Sequence, residues 1–457
     1  MSTQPTDPAS GAVQPRFPLA ARALRTPAAS RAFQPARAGA IPPPAMQATA
    51  GRLTLGPVKL WPLLLFLFLL PLQNVQTGYM PNLGGGLNFL NMMFMLSLGG
   101  ALMARGRLAP GEPLNRWVLA YAVYMVVSLF IGYQYVNGTE AHLNTLKDHL
   151  LAVFMVYLVQ LGVSDWAGVK RVVLATLLPL PYIAKVVWSQ HSSVSSWGYD
   201  DDMRISGTFS LLGANEFAAF CTTHAVVLFA ILLATRLSRF WKLVLIGGIA
   251  CMVIGVLYAY SRTAYVALIL GLVTVILAWR GRWKLMLPLL LAVVILPSVL
   301  PYSVVERFDS TTVEADERDE STDMRFVYWG IALDTFSRHP VVGTGYHTFH
   351  HSEINPYNKD THNLYLRTLA EGGVVGAVIL GGLLLSLLLA GVKSMTRART
   401  GTWHYALGLG LVGAWTALIC GNLFGDRFTY YPVVAYFWTY VALVLKARHL
   451  PPEGGPR

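Results

Sequence analysis

The sequence predicts an all-α membrane protein of about twelve spanning helices with one large, partly helical loop gathered at one face. Three observations predict it. Of 457 residues, 54% are hydrophobic and only 13% charged, with a mean hydropathy of +0.49, a balance too apolar for a soluble chain of this length. The apolar residues fall in runs of about 15 to 22, matching the roughly 20 that a helix needs to cross the hydrocarbon core, without the alternation of a barrel. The positive residues between those runs follow a single parity along the chain, as membrane topology requires.

Residues 1–59 are rich in Pro, Ala, Gln and Arg without apolar periodicity and read as a disordered basic tail. No short apolar core near the start marks a cleavable signal peptide. Spans are expected at 60–77, 87–104, 117–133, 148–163, 171–188, 216–235, 242–260, 264–280, 283–302, 371–392, 403–424 and 429–446, each judged by length and freedom from charge. The chain therefore divides into a tail (1–59), a first block of spans (60–302), a large loop (303–370), a second block of spans (371–446) and a short tail (447–457).

Arg16, Arg22, Arg25, Arg31, Arg37, Arg52 and Lys59 crowd the first tail. Alternate connections then carry Arg105, Arg107 and Arg116; Lys170 and Arg171; Arg236, Arg239 and Lys242; Arg280, Arg282 and Lys284; Lys393, Arg397 and Arg399; and Lys446 and Arg448. These connections are expected on the cytoplasmic side together with both termini. The intervening connections 78–86, 134–147, 189–215 and 425–428 hold few cations or hold them beside acids, and they face outward with the large loop. The net charge of +12 is thus topological, dispersed between spans rather than gathered in a domain, which argues against a nucleic-acid partner. Cys221, Cys251 and Cys420 lie inside apolar runs and read as small core residues, without metal or redox spacing.

Residues 243–279 form an almost continuous apolar run broken at Ser261-Arg262-Thr263. As one helix they would extend about 55 Å at 1.5 Å per residue, against a core of about 30 Å, so the chain must turn at Arg262. Tyr258, Tyr260 and Tyr265 bracket that turn as an interfacial aromatic belt does. A guanidinium at membrane depth calls for an anion or a wet cavity, or else snorkels to the headgroups.

The large loop opens on Glu314, Asp316, Glu317, Asp319, Glu320 and Asp323, read as a solvated, mobile run that lacks the glycine turn of a calcium loop. From Arg325 the residues Phe326, Trp329, Leu333 and Phe336 recur at helical spacing. They predict an amphipathic surface helix ending before His339-Pro340, with Arg325, Tyr328 and Ala332 on the adjoining face and Arg325 aimed inward. Gly343 to Gly345 mark a turn, and Asp360 or Thr361 is expected to cap a helix that begins near His362 and enters the membrane at Gly372-Gly373. A helix N-terminus there would lower the pKa of His362 and favour its neutral, proton-accepting form.

These stretches resemble a known group. The pattern R-x-x-G-T-F at Arg204 to Phe209 followed by Asn215-Glu216, S-R-T-A-Y from Ser261, R-F-V-Y-W from Arg325, H-P-V-V-G-T-G from His339, H-N-L-Y-L from His362 and E-G-G-V-V-G from Glu371 resemble the O-antigen ligase superfamily. That superfamily comprises lipopolysaccharide O-antigen ligases, Wzy-type polymerases and protein O-oligosaccharyltransferases. The resemblance covers about residues 200–430 and implies a GT-C-like architecture in the bacterial cytoplasmic membrane. It further implies transfer of a glycan from undecaprenyl diphosphate to an acceptor hydroxyl, on lipid A-core or a growing glycan, at the periplasmic face. Two arginines and a histidine essential to such ligases match Arg262, Arg325 and His362; Asn363 follows the histidine, and Asp426, with Arg427 beside it, matches an acid in the last outer loop.

The residue types suit that chemistry. Guanidinium forks grip phosphate oxygens bidentately, which assigns Arg262, Arg325 and, third, Arg204 to the diphosphate. Against Arg204 stands a salt bridge to Asp200, Asp201 or Asp202. His362 is the expected general base, a role worth about a hundred- to ten-thousand-fold, with Asn363, Asp426 and Arg427 supporting. No cofactor is expected. A divalent cation at Asp200 and Asp202 is the lesser reading, because arginines already supply countercharge. A zinc site at His347, His350 and His351 is disfavoured for want of a completing cysteine or acid, and a hydrolase for want of a buried carboxylate pair. A transporter of lipid-linked glycans would place ionisable residues at mid-membrane in broken helices, whereas here they collect at one face.

Overall fold

The structure, a computed structural model, describes residues 60–72, 74–75, 88–135, 139–193, 203–210, 212–299, 302, 304–305 and 320–453. The helices are α1 (Trp61–Leu69), α2 (Phe89–Met103), α3 (Pro113–Ile131), α4 (Thr139–Gly162), α5 (Trp166–Leu177), α6 (Leu180–Ser192) and α7 (Ala214–Ala234). They continue as α8 (Arg239–Tyr258), α9 (Arg262–Ala278), α10 (Trp283–Val299), α11 (Glu320–Arg338), α12 (Leu364–Arg397), α13 (Trp403–Gly421) and α14 (Tyr431–Ala447). No strand occurs among the described residues, which show only an isolated bridge between Thr235 and Gly401. Among the described residues seven stretches are long and apolar enough to cross a membrane: α3, most of α4, α5 with α6 as one, α7, α8, α12 and α13. The shorter α2, α9 and α14 are apolar as well. The chain is an integral membrane protein, all-helical where described.

The centre is α14, whose residues are buried almost without exception, with Tyr436, Phe437, Trp438 and Tyr440 on all its faces. It packs most closely on α4, while α13 packs on α7, α9 and α12. Small residues permit that approach: a Cβ at Gly413 would meet the Gly271 carbonyl oxygen at 3.0 Å, and one at Gly408 would meet that of Gly391 at 3.0 Å. Close backbone approach substitutes for the hydrophobic drive that lipid cannot give. Leu119, Phe130, Leu290, Leu291 and Leu385 lie exposed on the outer helices, as lipid-facing side chains do.

Several boundaries differ from expectation, each for a local reason. The expected span at 171–188 is two helices, α5 and α6, meeting at Leu178-Pro179; the ring of Pro179 removes a backbone donor there. Helix α11 is described from Glu320 onward, so Glu320 and Asp323 are helical rather than part of a loop. Its buried face is Tyr328, Ala332 and Thr335, packed with Phe349 and Ala370, whereas Phe326 and Leu333 are exposed. Arg325, next to that buried face, is half-buried. The cap of α12 is Asn363, whose side chain accepts from the amides of Tyr365 and Leu366; neither Asp360 nor Thr361 holds that place, and His362 precedes the helix. Helix α12 starts at Leu364 and breaks at Gly373 (φ +58°) before continuing as a span. The expectations for residues 1–59, for Asp200, Asp201 and Asp202, and for Glu314, Asp316, Glu317 and Asp319 fall outside the described residues.

Candidate active site

The chain turns between α8 and α9 at Ala259 to Ser261, with Tyr260 at φ +49°, and Arg262 is the first residue of α9. Arg204 ties this turn to the start of α7: its Nη2 donates to Asn215 Oδ1 at 2.7 Å and its Nε to the Ala259 carbonyl at 3.4 Å. Glu216, one residue along α7, pairs with Arg427 from the loop between α13 and α14. Asn215, Thr222, Ser261, Thr263 and Arg427 line one crevice between α7, α9 and α13. Hydroxyls, an amide and a guanidinium thus face a shared space in an otherwise apolar bundle.

His362 belongs to the same end of the bundle. Leu364 N donates to the carbonyls of Asn422 and Gly425 at 3.0 and 3.2 Å, which fastens the segment to the Arg427 loop. On its other side α11 closes down. Trp329 Nε1 donates to the Thr361 carbonyl at 3.0 Å, and the Tyr328 ring lies 6.5 Å from the imidazole. Burial lowers the pKa of His362 below the ordinary histidine value; Arg325 and Arg427 push the same way, against Asp360 and Glu216. The direction agrees with the sequence expectation, but the main cause is desolvation rather than a helix end. The four charged neighbours come from α7, α11, the segment before α12 and the loop before α14. His362 also holds φ +50°, a left-handed conformation that few non-glycine residues adopt and that collects at functional sites.

Beneath these groups lies a buried ionic knot. Arg367, on the first turns of α12, pairs with Asp426, bonds Thr429 Oγ1 through Nη2 at 3.0 Å, and places Nε 3.5 Å from Glu371 Oε2. The Asp426 carboxylate also takes the Thr429 hydroxyl and the Phe428 amide, the latter at 2.9 Å. Burial alone would raise its pKa, but Arg367 and these donors hold it below the usual carboxylate range. Asp426 is 3% exposed, so it anchors the Arg427 loop from below and does not line the crevice. Arg367 and Glu371 carry no role in the sequence reading. Their i,i+4 spacing is legible as a helix pair, but their burial is not.

Glu371 joins the knot to a second segment. Its carboxylate accepts from the amides of His347 and Phe349 at 3.0 and 3.1 Å. The motif from His339 to Gly345 is stapled across the break in α12: Thr344 N and Gly345 N donate to the carbonyls of Ala370 and Glu371, and Val374 N and Val375 N donate to those of Pro340 and Val341. The amides and carbonyls freed by the break are thereby satisfied. Gly343 (φ +67°) has no alternative, since a Cβ there would lie 2.2 Å from the Glu371 carbonyl carbon. The two glycine motifs, about thirty residues apart, are one structural unit.

No group of three or more metal-ligating side chains has the geometry to hold a metal ion among the described residues. The O-antigen ligase family model matches residues 247–381, which bears out the resemblance drawn from the sequence. The matched segment contains Arg262, Arg325, His362, Arg367 and the stapled motifs; Arg204, Glu216, Asp426 and Arg427 lie outside it. A search among curated proteins returned no match to this chain.

Proposed function

From the premise of an O-antigen ligase domain at residues 247–381, we propose that the protein transfers a glycan from a polyprenyl-diphosphate carrier, undecaprenyl diphosphate, to an acceptor hydroxyl at the periplasmic face of the bacterial cytoplasmic membrane. The membrane is crossed about twelve times in a GT-C-like arrangement with both termini cytoplasmic. The acceptor is lipid A-core, as in a ligase; polymerisation of repeat units uses the same donor and is the second reading. The carrying observation is that His362 lies within electrostatic reach of Arg325 and Arg427, while Arg427 shares a crevice with Ser261, the residue before Arg262.

Each group then has a task. Arg262 and Arg325 hold the diphosphate through charge-assisted, bidentate hydrogen bonds, and Arg204 secures the α8–α9 turn or adds a third contact. Neutral His362 accepts the proton of the acceptor hydroxyl as its oxygen attacks the anomeric carbon and the bond to the diphosphate breaks. The departing diphosphate takes the bonding electron pair, and the arginines stabilise its added charge. Asn363 caps α12 and so fixes the backbone beside His362. Arg427, paired with Glu216, shapes the crevice.

Deleting the gene and analysing carrier-linked and surface glycans tests this reading. Long polymer accumulating on the carrier is expected of a ligase, and single repeat units of a polymerase. Unchanged glycans would contradict both.

A further inference from the structure

A second cavity opens where the end of α3 and the start of α4 meet the loop after α11. Its volume is about 210 Å³, and it is lined by Tyr135, His142, Thr145, His347, His350 and His351. Four histidines around one space is a high density for a chain with eleven in all. Two ring pairs meet face to edge, His142 with His347 at 5.4 Å and Tyr135 with His351 at 5.6 Å between centroids, while His347 and His350 lie 4.6 Å apart with tilted planes.

The polar atoms show what such a cavity would take. His142 Nε2 faces the His347 carbonyl at 3.1 Å and therefore carries its proton there. His351 Nδ1 accepts the Glu353 amide at 3.3 Å, leaving its other nitrogen as the donor. Nδ1 of His347 and Nδ1 of His350 are buried without a hydrogen-bond partner, a costly state for an imidazole unless a ligand or water completes it. Burial keeps both rings in their neutral form, and Arg367 opposes protonation of each. A neutral imidazole offers one donor and one acceptor. Among the described residues no acid or arginine lines it, and they supply neither the charge to hold an anion nor the geometry to hold a metal ion. Aromatic faces with alternating donors and acceptors complement a neutral ring bearing hydroxyls.

The cavity is built into the candidate active site. Glu371 holds the His347 amide, and Asp360 acts electrostatically on both His350 and His362. We propose that this histidine-lined cavity is the subsite for a neutral saccharide unit of the glycan acceptor. The assignment rests on the transfer reading above and adds the acceptor's chemical class and its place.

Saturation-transfer NMR on the full chain in detergent tests it, with methyl α-glucopyranoside, methyl β-galactopyranoside and N-acetylglucosamine as probes. Wild type should transfer saturation to at least one of them. Ala141→Trp, at an exposed position on the rim, and His350→Phe, which keeps an aromatic ring, should each weaken binding about tenfold and reduce surface glycan in cells. No signal in wild type, equal signals in wild type and Ala141→Trp, or normal surface glycan in Ala141→Trp would overturn the subsite. So would stoichiometric zinc on the purified protein that is lost in His350→Phe. Loss of the transfer reading shows differently, as a His362→Ala protein that still transfers.

Discussion

His362 is held from four directions and strained in its own backbone, and both features bear on its protonation. Because burial lowers its pKa, the imidazole stays neutral, and so competent as a base, to a lower pH than a free histidine. The acid limb of the pH–rate profile for transfer should therefore fall below the ordinary value of about 6.5; a limb at or above that value would remove His362 as the base. Arg262→Lys keeps the charge but loses the fork. A lost hydrogen bond to a charged group is worth about 1.5–3 kcal/mol, so transfer should drop roughly ten- to a hundredfold while insertion is unchanged. Near-normal turnover would exclude a bidentate role. Arg262, Arg325 and His362 stand out in the sequence as titratable side chains against apolar runs. Arg367 and Glu371 do not, since an arginine four residues before a glutamate is written alike on a solvated helix and in a buried knot.

The element on which the site depends is α12, broken at Gly373 and tied to three other segments. Arg367→Met removes the cation of the knot and leaves Asp426 and Glu371 buried without it. Such a break should cost about 3–5 kcal/mol, read as a lower melting temperature in detergent. The double variant Arg367→Met with Asp426→Leu should recover part of that loss, because a buried pair replaced by apolar groups is far less costly than half a pair. If Arg367→Met melts like wild type, the knot does not organise this end of the molecule. Most helices could be read from apolar run length, and the α8–α9 turn at Arg262 from the excess length of its run. The boundaries that differ have local causes, Pro179 between α5 and α6 and the Asn363 cap of α12, whereas the break at Gly373 involves partners distant in sequence. Gly372-Gly373 reads as a membrane entry, and only the amides and carbonyls of Pro340 to Gly345, packed alongside, show it as a stapled break.

At the scale of the whole molecule the groups of the candidate site gather at one end of the bundle, which bears on its pH response. His347 is held at about 2 by burial and His362 is also lowered, so below about 6.5 the unfolded chain binds protons that the folded one does not. Stability should therefore fall between about pH 7 and pH 5. The depressed Asp426 adds a further loss at lower pH, as its carboxylate is protonated. A melting temperature that rises on acidification would contradict those environments. The all-helical, membrane-spanning character was legible from composition, but how the helix ends converge was not, because convergence is a property of packing. The most direct test is reconstitution of the purified protein in liposomes with a polyprenyl-diphosphate-linked glycan and a lipid A-core acceptor, comparing wild type with His362→Ala. A new glycosidic bond formed by wild type and abolished in the variant is the predicted result. Glycan-lipid crossing the bilayer with no bond formed, or equal product from both proteins, would contradict it.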